Sequence, residues 1–198
     1  MTILLAGVSQ AATITWDFSS GTVGNVGSSN ESFTSGGFTV AAKGYSSSSN
    51  STNLFGKNDS GDEKGLGLNG FSDNEIAGNG FIQLDLSALV GFTNFKISFG
   101  SATDGETWNV SECGTVGSLC AGSLISGTNE GTLNSFVVGN VATTGRYLDI
   151  KAVHSGDNVL LFKLTADTPS VPEPSTVSFM VLSGLLLCGV SFLKAKRA

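Results

Sequence analysis

The chain has 198 residues, of which 27 are glycine, 40% are hydrophobic and only 13% are charged. Glycine is about twice as frequent as in an average protein, which indicates many turns, and the hydrophobic share favours one folded domain over a disordered chain. With Glu173 and the last three basic residues set aside, 7 basic residues face 15 acidic ones, and this acidic excess disfavours nucleic acid as a partner.

The first segment, 1–11, reads MTILLAGVSQA, an apolar run followed by the small residues Ser9 and Ala11. This pattern is typical of the end of a signal peptide that is cleaved after Ala11. An ordinary first strand is the alternative. The signal-peptide interpretation makes 12–168 the exported domain.

Between Thr13 and Asp167 no segment keeps a 3.6-residue period, and short β-rich or alternating runs recur instead. In 81–86 and 95–99 apolar and polar residues alternate, which predicts one face in a core and the other in water. One helical turn is predicted at 86–89. The predicted strands are 13–18, 38–45, 80–86, 94–99, 107–113, 133–138, 147–153 and 159–165.

Glycine and asparagine separate these runs every eight to fifteen residues or so, as between the strands of a small β-protein. The expected fold is therefore all-β, an antiparallel β-sandwich of the jelly-roll-like kind. The low-complexity run 46–53, SSSSNSTN, is expected to form an exposed loop.

Two acid-rich, glycine-flanked segments follow the low-complexity run. Their carboxylates are oxygen ligands of the kind that calcium prefers, although the spacing is not that of an EF-hand. A solvated acidic turn is the alternative and is favoured, so calcium is the one cofactor to test. The candidate calcium ligands are Asp59, Asp62, Glu63, Asp73 and Glu75.

The segment 65–70, GLGLNG, fits the glycine pattern of dinucleotide-binding loops. It follows a polar run instead of a strand, and no helix pattern comes after it, so the context of such a site is missing. We expect these glycines to bend a strand or to permit close packing.

Cys113 and Cys120 are separated by six residues that include two glycines, and in an exported domain they are expected to form a disulfide. A zinc pair is the alternative, but zinc takes four ligands and the chain has a single histidine, His154. Cys188 lies far away, in the apolar C-terminal run.

Catalysis finds little support in the sequence. His154 stands at a predicted strand end, as surface histidines do, and no G-x-S-x-G motif is present. Paired carboxylates of a glycoside hydrolase are not excluded, but no pair stands out. The chain is therefore not expected to be an enzyme.

The C-terminal part combines three features in a fixed order. A proline-rich linker, 169–176, contains Val171, Pro172, Glu173, Pro174 and Ser175. The apolar run 177–193 is uncharged and, at about 25 Å as a helix, nearly long enough to cross a bilayer. The basic tail 194–198 contains Lys194, Lys196 and Arg197, which the positive-inside rule keeps in the cytoplasm.

These three features together resemble the PEP-CTERM sorting signal, and the resemblance covers about 171–198. It implies an exported protein of a Gram-negative bacterium, anchored in the inner membrane by a C-terminal transmembrane helix. It also implies a partner, the membrane peptidase exosortase, which releases or transfers the protein to the cell surface or the extracellular space.

The expected role of the domain is structural or adhesive, in the envelope or in an exopolysaccharide or biofilm matrix. A carbohydrate-binding module is the alternative, and it would expose aromatic rings such as those of Trp108 or Tyr147. A secreted hydrolase is the third hypothesis and would show two facing carboxylates in a cleft. Burial of Trp16, Trp108 and Tyr147 would favour the structural role.

Overall fold

The computed structural model describes residues 11–101, 105–128, 135–139 and 146–170, and in these ranges it is all-β. Turns of 3-10 helix occupy Phe18–Ser20, Ser72–Asn74 and Ser87–Leu89. The strands are β1 (Thr13–Asp17), β2 (Gly24–Asn25), β3 (Asn30–Ser35), β4 (Phe38–Ser47), β5 (Asn50–Ser51), β6 (Leu54–Asn58), β7 (Lys64–Leu68), β8 (Ile76–Ala77), β9 (Phe81–Asp85), β10 (Thr93–Gly100), β11 (Thr107–Cys113), β12 (Ile125–Thr128), β13 (Ser135–Gly139), β14 (Tyr147–Ala152) and β15 (Asn158–Asp167).

The strands form two antiparallel sheets. The first sheet has the order β13-β10-β15-β7-β6-β2, and β1 and β8 also pair with β15. The second sheet has the order β12-β11-β14-β9-β4-β3, with β5 on β4. From β7 onward the chain passes repeatedly between the sheets: β7, β10, β13 and β15 lie in the first, and β9, β11, β12 and β14 in the second.

A continuous hydrophobic core joins the strands of both sheets, as in a β-sandwich. Phe99 of the first sheet stacks on Trp108 of the second, with ring centroids 4.3 Å apart and an interplanar angle of 22°. Trp16 is also buried and donates its indole N–H to Phe38 O at 3.0 Å. Burying such large rings stabilises the fold by about 2 kcal/mol or more each.

Gly65 and Gly67 lie at a crowded place in the core, as predicted, whereas Gly70 is in a turn at φ +82° with nothing within 4 Å of its Cβ position. Gly65 has φ +135°, and a Cβ there would overlap Leu161 O of β15. A Cβ on Gly67 would overlap Asn74 O. The two glycines therefore let β7 lie against neighbouring backbone.

All eight predicted strands are present as β1, β4, β9, β10, β11, β13, β14 and β15, and the predicted helical turn is the 3-10 turn at Ser87–Leu89. The run 46–53 is more ordered than predicted. It ends β4, turns at Ser48 and Ser49, and returns as β5, so that it forms a hairpin tip.

The prediction that the second face of 81–86 lies in water is wrong at Phe81 and Gln83. Phe81 is fully buried and stacks on Tyr45, with centroids 4.8 Å apart, and Gln83 is 2% exposed. Their face of the second sheet is covered by the loop that follows Cys113, because Gly117 N donates to Gln83 Oε1 at 2.9 Å.

Residues Thr13–Thr168 form one compact unit. A second unit comprises the two ends of the chain, of which the structure describes only 11, 12, 169 and 170.

Candidate functional site

The sorting residues predicted from the sequence, Val171 to Ser175, Lys194, Lys196 and Arg197, lie outside the described residues, as does the predicted transmembrane segment 177–193. Within the part of the chain that the structure describes, no helix has the length and apolar character needed to span a membrane.

The five candidate calcium ligands do not gather around one point. Asp59 and Asp73 are exposed on separate turns, and Asp62 is half-buried in the same turn as Asp59. Glu63 and Glu75 both contact Lys57. Lys57 Nζ lies 2.9 Å from Glu63 Oε2 and 2.5 Å from Glu75 Oε1. A lysine ammonium therefore occupies the position between two carboxylates where the sequence suggested a metal ion.

Burial sets the electrostatics of this group of three side chains. Desolvation would lower the pKa of Lys57, but its hydrogen bonds to Glu75 and Glu63 outweigh burial and raise it. Burial would raise the pKa of Glu63, but the hydrogen bond and positive charge of Lys57 outweigh burial and lower it. Glu75 is only 1% exposed, and there burial dominates and raises the pKa. The arrangement is an internal ion pair and not an open ligand cage.

Glu106 is a further buried acid that sequence reasoning did not single out. Its side chain is 8% exposed, and burial, together with the negative charge of Glu75, raises its pKa to about 7. A carboxyl group with such a pKa resembles a general acid, but Glu106 and Glu75 are both buried. The pair expected of a secreted hydrolase is therefore not formed by these two acids.

The aromatic residues proposed for carbohydrate contact differ in exposure. Trp16 and Trp108 are each 1% exposed, so neither ring offers a face to a sugar. Tyr147 is half-buried on the outer face of the second sheet, and Arg146 lies over its ring at 5.4 Å from the centroid. Only Tyr147, among the three, can contact a ligand.

A small recess of about 160 Å³ lies beside Tyr147. Cross-strand pairing builds it, because Ala41, Asp85 and Tyr147 are directly opposite one another on β4, β9 and β14. The Asp85 carboxylate binds Arg146, with Oδ2 3.1 Å from Nη2. Asn30, Lys43, Gln83 and Val116 complete the lining.

The disulfide is formed as predicted, between Cys113 at the end of β11 and Cys120, with Cα atoms 5.5 Å apart. The segment between them, 114–119, lies on the outer face of the second sheet and is called the disulfide loop below. Gln83 Nε2 donates to Thr115 O at 3.3 Å, and Leu119 N donates to Ser48 Oγ at 3.3 Å.

Asp149 lies beneath the disulfide loop. It is 1% exposed, accepts hydrogen bonds from Gln83 Nε2 at 2.7 Å and Cys120 N at 3.1 Å, and burial raises its pKa. Its carboxylate and both cysteine sulfur atoms lie within 4.8 Å of one another, the one such group of potential metal ligands among the described residues. Alternation in β9 and β14 predicts that Gln83 and Asp149 share one face of the sheet. No sequence pattern predicts that the disulfide loop covers this face.

His154 is exposed in the turn before β15, as predicted for a surface histidine, and its backbone N–H donates to Asp157 Oδ2 at 3.0 Å.

No protein-family model and no curated protein matches this chain.

Proposed function

We propose that the chain is an exported protein of a Gram-negative bacterium that is sorted by exosortase through a C-terminal PEP-CTERM signal. The observation that carries this proposal is the order of Pro172-Glu173-Pro174, the apolar run 177–193 and the basic end. A disulfide-closed, all-β domain before this signal supports it, because disulfides persist in the oxidising exterior.

The route has two stages. Before processing, the apolar run holds the protein in the inner membrane, with the basic residues in the cytoplasm and the domain outside. After processing, the domain is at the cell surface or in the extracellular matrix. Its role there is structural or adhesive, and the burial of Trp16 and Trp108 supports this role over a surface of exposed aromatic rings.

The sorting proposal predicts that the mature protein lacks the residues after about Ser175. Intact-mass analysis of the surface and secreted fractions of the native host measures this directly. The double variant Pro172→Ala/Pro174→Ala should keep the full C-terminus and stay in the membrane fraction. Pro169→Ala, in the same linker but outside the motif, is the matched control and should be processed normally.

Retention of Lys194 to Ala198 in the exported wild-type protein would contradict the sorting proposal and leave a simple membrane anchor.

Carbohydrate binding is the second candidate, favoured by one observation, the recess beside Tyr147. An aromatic ring next to amide and charged groups is a common way to hold a sugar. Titration of the protein with the host's exopolysaccharide should then show binding that Tyr147→Ala removes. His154→Ala, an exposed ring outside the recess, is the control; equal binding by both variants, or none by the wild type, would contradict this candidate.

For the fold, we propose the jelly-roll type of sandwich. Its support is the strand order: β7-β15-β10-β13 in the first sheet faces β9-β14-β11-β12 in the second, and the chain alternates between them. Two four-stranded sheets wound in this way are the pattern of a jelly roll.

A further inference from the structure

The Cys113–Cys120 disulfide differs at its two ends. Cys113 is 1% exposed, whereas Cys120 is partly exposed at the end of the disulfide loop. An external thiolate can therefore approach the Cys120 sulfur atom more easily than the Cys113 sulfur atom. Attack at Cys120 makes Cys113 the leaving group, inside the protein.

The surroundings of Cys113 suit a protonated thiol and not a thiolate. Thr115 O and Ser118 O lie 3.4 Å and 3.3 Å from Cys113 Sγ. These carbonyl oxygens can accept a hydrogen bond from an S–H group, but they repel a negative sulfur atom. Because burial also disfavours a thiolate, the leaving sulfur atom needs a proton as the S–S bond breaks.

Asp149 is placed to supply that proton. Its carboxyl group lies within 4.8 Å of both sulfur atoms, and burial raises its pKa against the opposing hydrogen bonds from Gln83 and the Cys120 N–H. The charged groups near it are few: Lys151, two residues along β14, opposes protonation, and Lys43 lies across β9 in the same row. From β11 it faces neutral Ser111, and the disulfide loop contains no titratable side chain.

We propose that Cys113–Cys120 is a reducible disulfide, attacked at Cys120 by an external dithiol, with the Asp149 carboxyl group as the proton donor to Cys113. The reductant thiolate forms a bond to Cys120 Sγ, the S–S bond breaks, and Cys113 Sγ takes the electron pair and the Asp149 proton. The second thiolate of the reductant then attacks the reductant sulfur atom that is bonded to Cys120. Cys120 leaves as a thiolate. The dithiol leaves as a disulfide, having supplied both electrons.

Reduction would free the disulfide loop from its covalent closure. The loop is then held by hydrogen bonds alone, among them those of Gln83 and Ser48. Val116 of this loop is also a wall of the recess beside Tyr147. The redox state of the cysteine pair would thus control the shape of that recess.

The first experiment identifies the attacked sulfur atom. The full-length chain carrying Cys188→Ser, which removes the third cysteine, is incubated with excess glutathione, and the mixed disulfide is mapped by peptide mass spectrometry. We expect the glutathione adduct on Cys120. An adduct mainly on Cys113 would overturn the proposal without need of any further variant.

The second experiment measures the rate of reduction by dithiothreitol from about pH 4, near the ordinary pKa of an aspartic acid, up to about pH 9, expressed per reductant thiolate. In the Cys188→Ser chain this rate constant should fall at least about tenfold as Asp149 loses its proton. In Asp149→Asn it should not change with pH, whereas Asp85→Asn, on the same sheet face, should behave as the parent. A parent rate constant that does not vary with pH, or the same profile in Asp149→Asn, would contradict the proposal.

Discussion

Lys57 shows how one residue determines the chemistry of a whole acidic segment. Its side chain is 13% exposed, and its ammonium group bridges Glu63 of the β6–β7 turn and the buried Glu75 before β8. Removal of one partner leaves the other charge buried and unpaired. The resulting loss in the free energy of unfolding is therefore larger than the net contribution of the ion pair. Loss of Lys57 should therefore cost more stability than loss of an exposed charged side chain.

Lys57→Met should lower the free energy of unfolding by about 3 kcal/mol, because it leaves the Glu75 carboxylate buried without its cation. Urea denaturation of the full-length chain at neutral pH measures this. The double variant Lys57→Met/Glu75→Gln should recover a large part of the loss. Lys163→Met is the control, since its ion pair with Asp17 is much more exposed and should contribute about 1 kcal/mol at most. Equal losses in the two single variants would contradict the prediction.

Glu106 gives the stability a dependence on pH. Burial raises the pKa of Glu106 to about 7 from the model-compound value of 4.5, so the folded state holds this proton more tightly than the unfolded state. The stability that this tighter proton binding gives the folded state is fully present below about pH 4.5, and it is lost as the pH rises to about 7.

Glu106→Gln removes this titration. The free energy of unfolding of the variant, relative to that of the wild type, should therefore increase by about 1–2 kcal/mol between pH 4.5 and 8. Screening by solvent keeps this difference small. Chemical denaturation of both proteins at several pH values tests this. Asp59→Asn, in an exposed turn, should show no such trend, and a constant difference for Glu106→Gln would contradict the assignment.

At the scale of the element, β7 depends on close backbone contact at its glycines as well as on the buried side chains of Leu66 and Leu68. Gly67→Ala places a methyl group against Asn74 O and should destabilise the domain by about 2 kcal/mol or more. Gly156→Ala, where a Cβ meets nothing within 4 Å, is the matched control and should be nearly neutral. Thermal unfolding of the two variants compares them; a neutral Gly67→Ala would mean that β7 can move away from the turn that contains Asn74.

A comparison of the strands shows which parts of the fold the sequence predicts. Strands β9, β11 and β14 alternate or are rich in β-branched and aromatic residues, so their existence and their core faces were predictable. The glycines of β7 and the polar residues of β3 have no such pattern, and tertiary contact makes them strands. The cover over Gln83 depends on a loop with no periodicity, which is why the buried Asp149 was missed.

At the scale of the molecule, the acidic side chains singled out as calcium ligands do not converge on one point in the described residues. Lys57 already neutralises Glu63 and Glu75, and Asp59 and Asp73 lie on separate exposed turns. The full-length chain should therefore melt at the same temperature with calcium, magnesium or chelator. A rise of several degrees with calcium alone would show that calcium binds the folded state and would restore the calcium hypothesis.

The last strand has a mechanical consequence for a domain that continues into a C-terminal tail. β15 pairs with β1, β10, β7 and β8, and its final residue, Asp167, is also bound by Thr13 Oγ1 at 2.6 Å and Asn94 Nδ2 at 2.9 Å. A pull on the tail acts along this strand, so the hydrogen bonds of its ladders share the load in shear instead of opening one at a time. For a domain pulled by this end, we expect unfolding to require the shearing of these ladders.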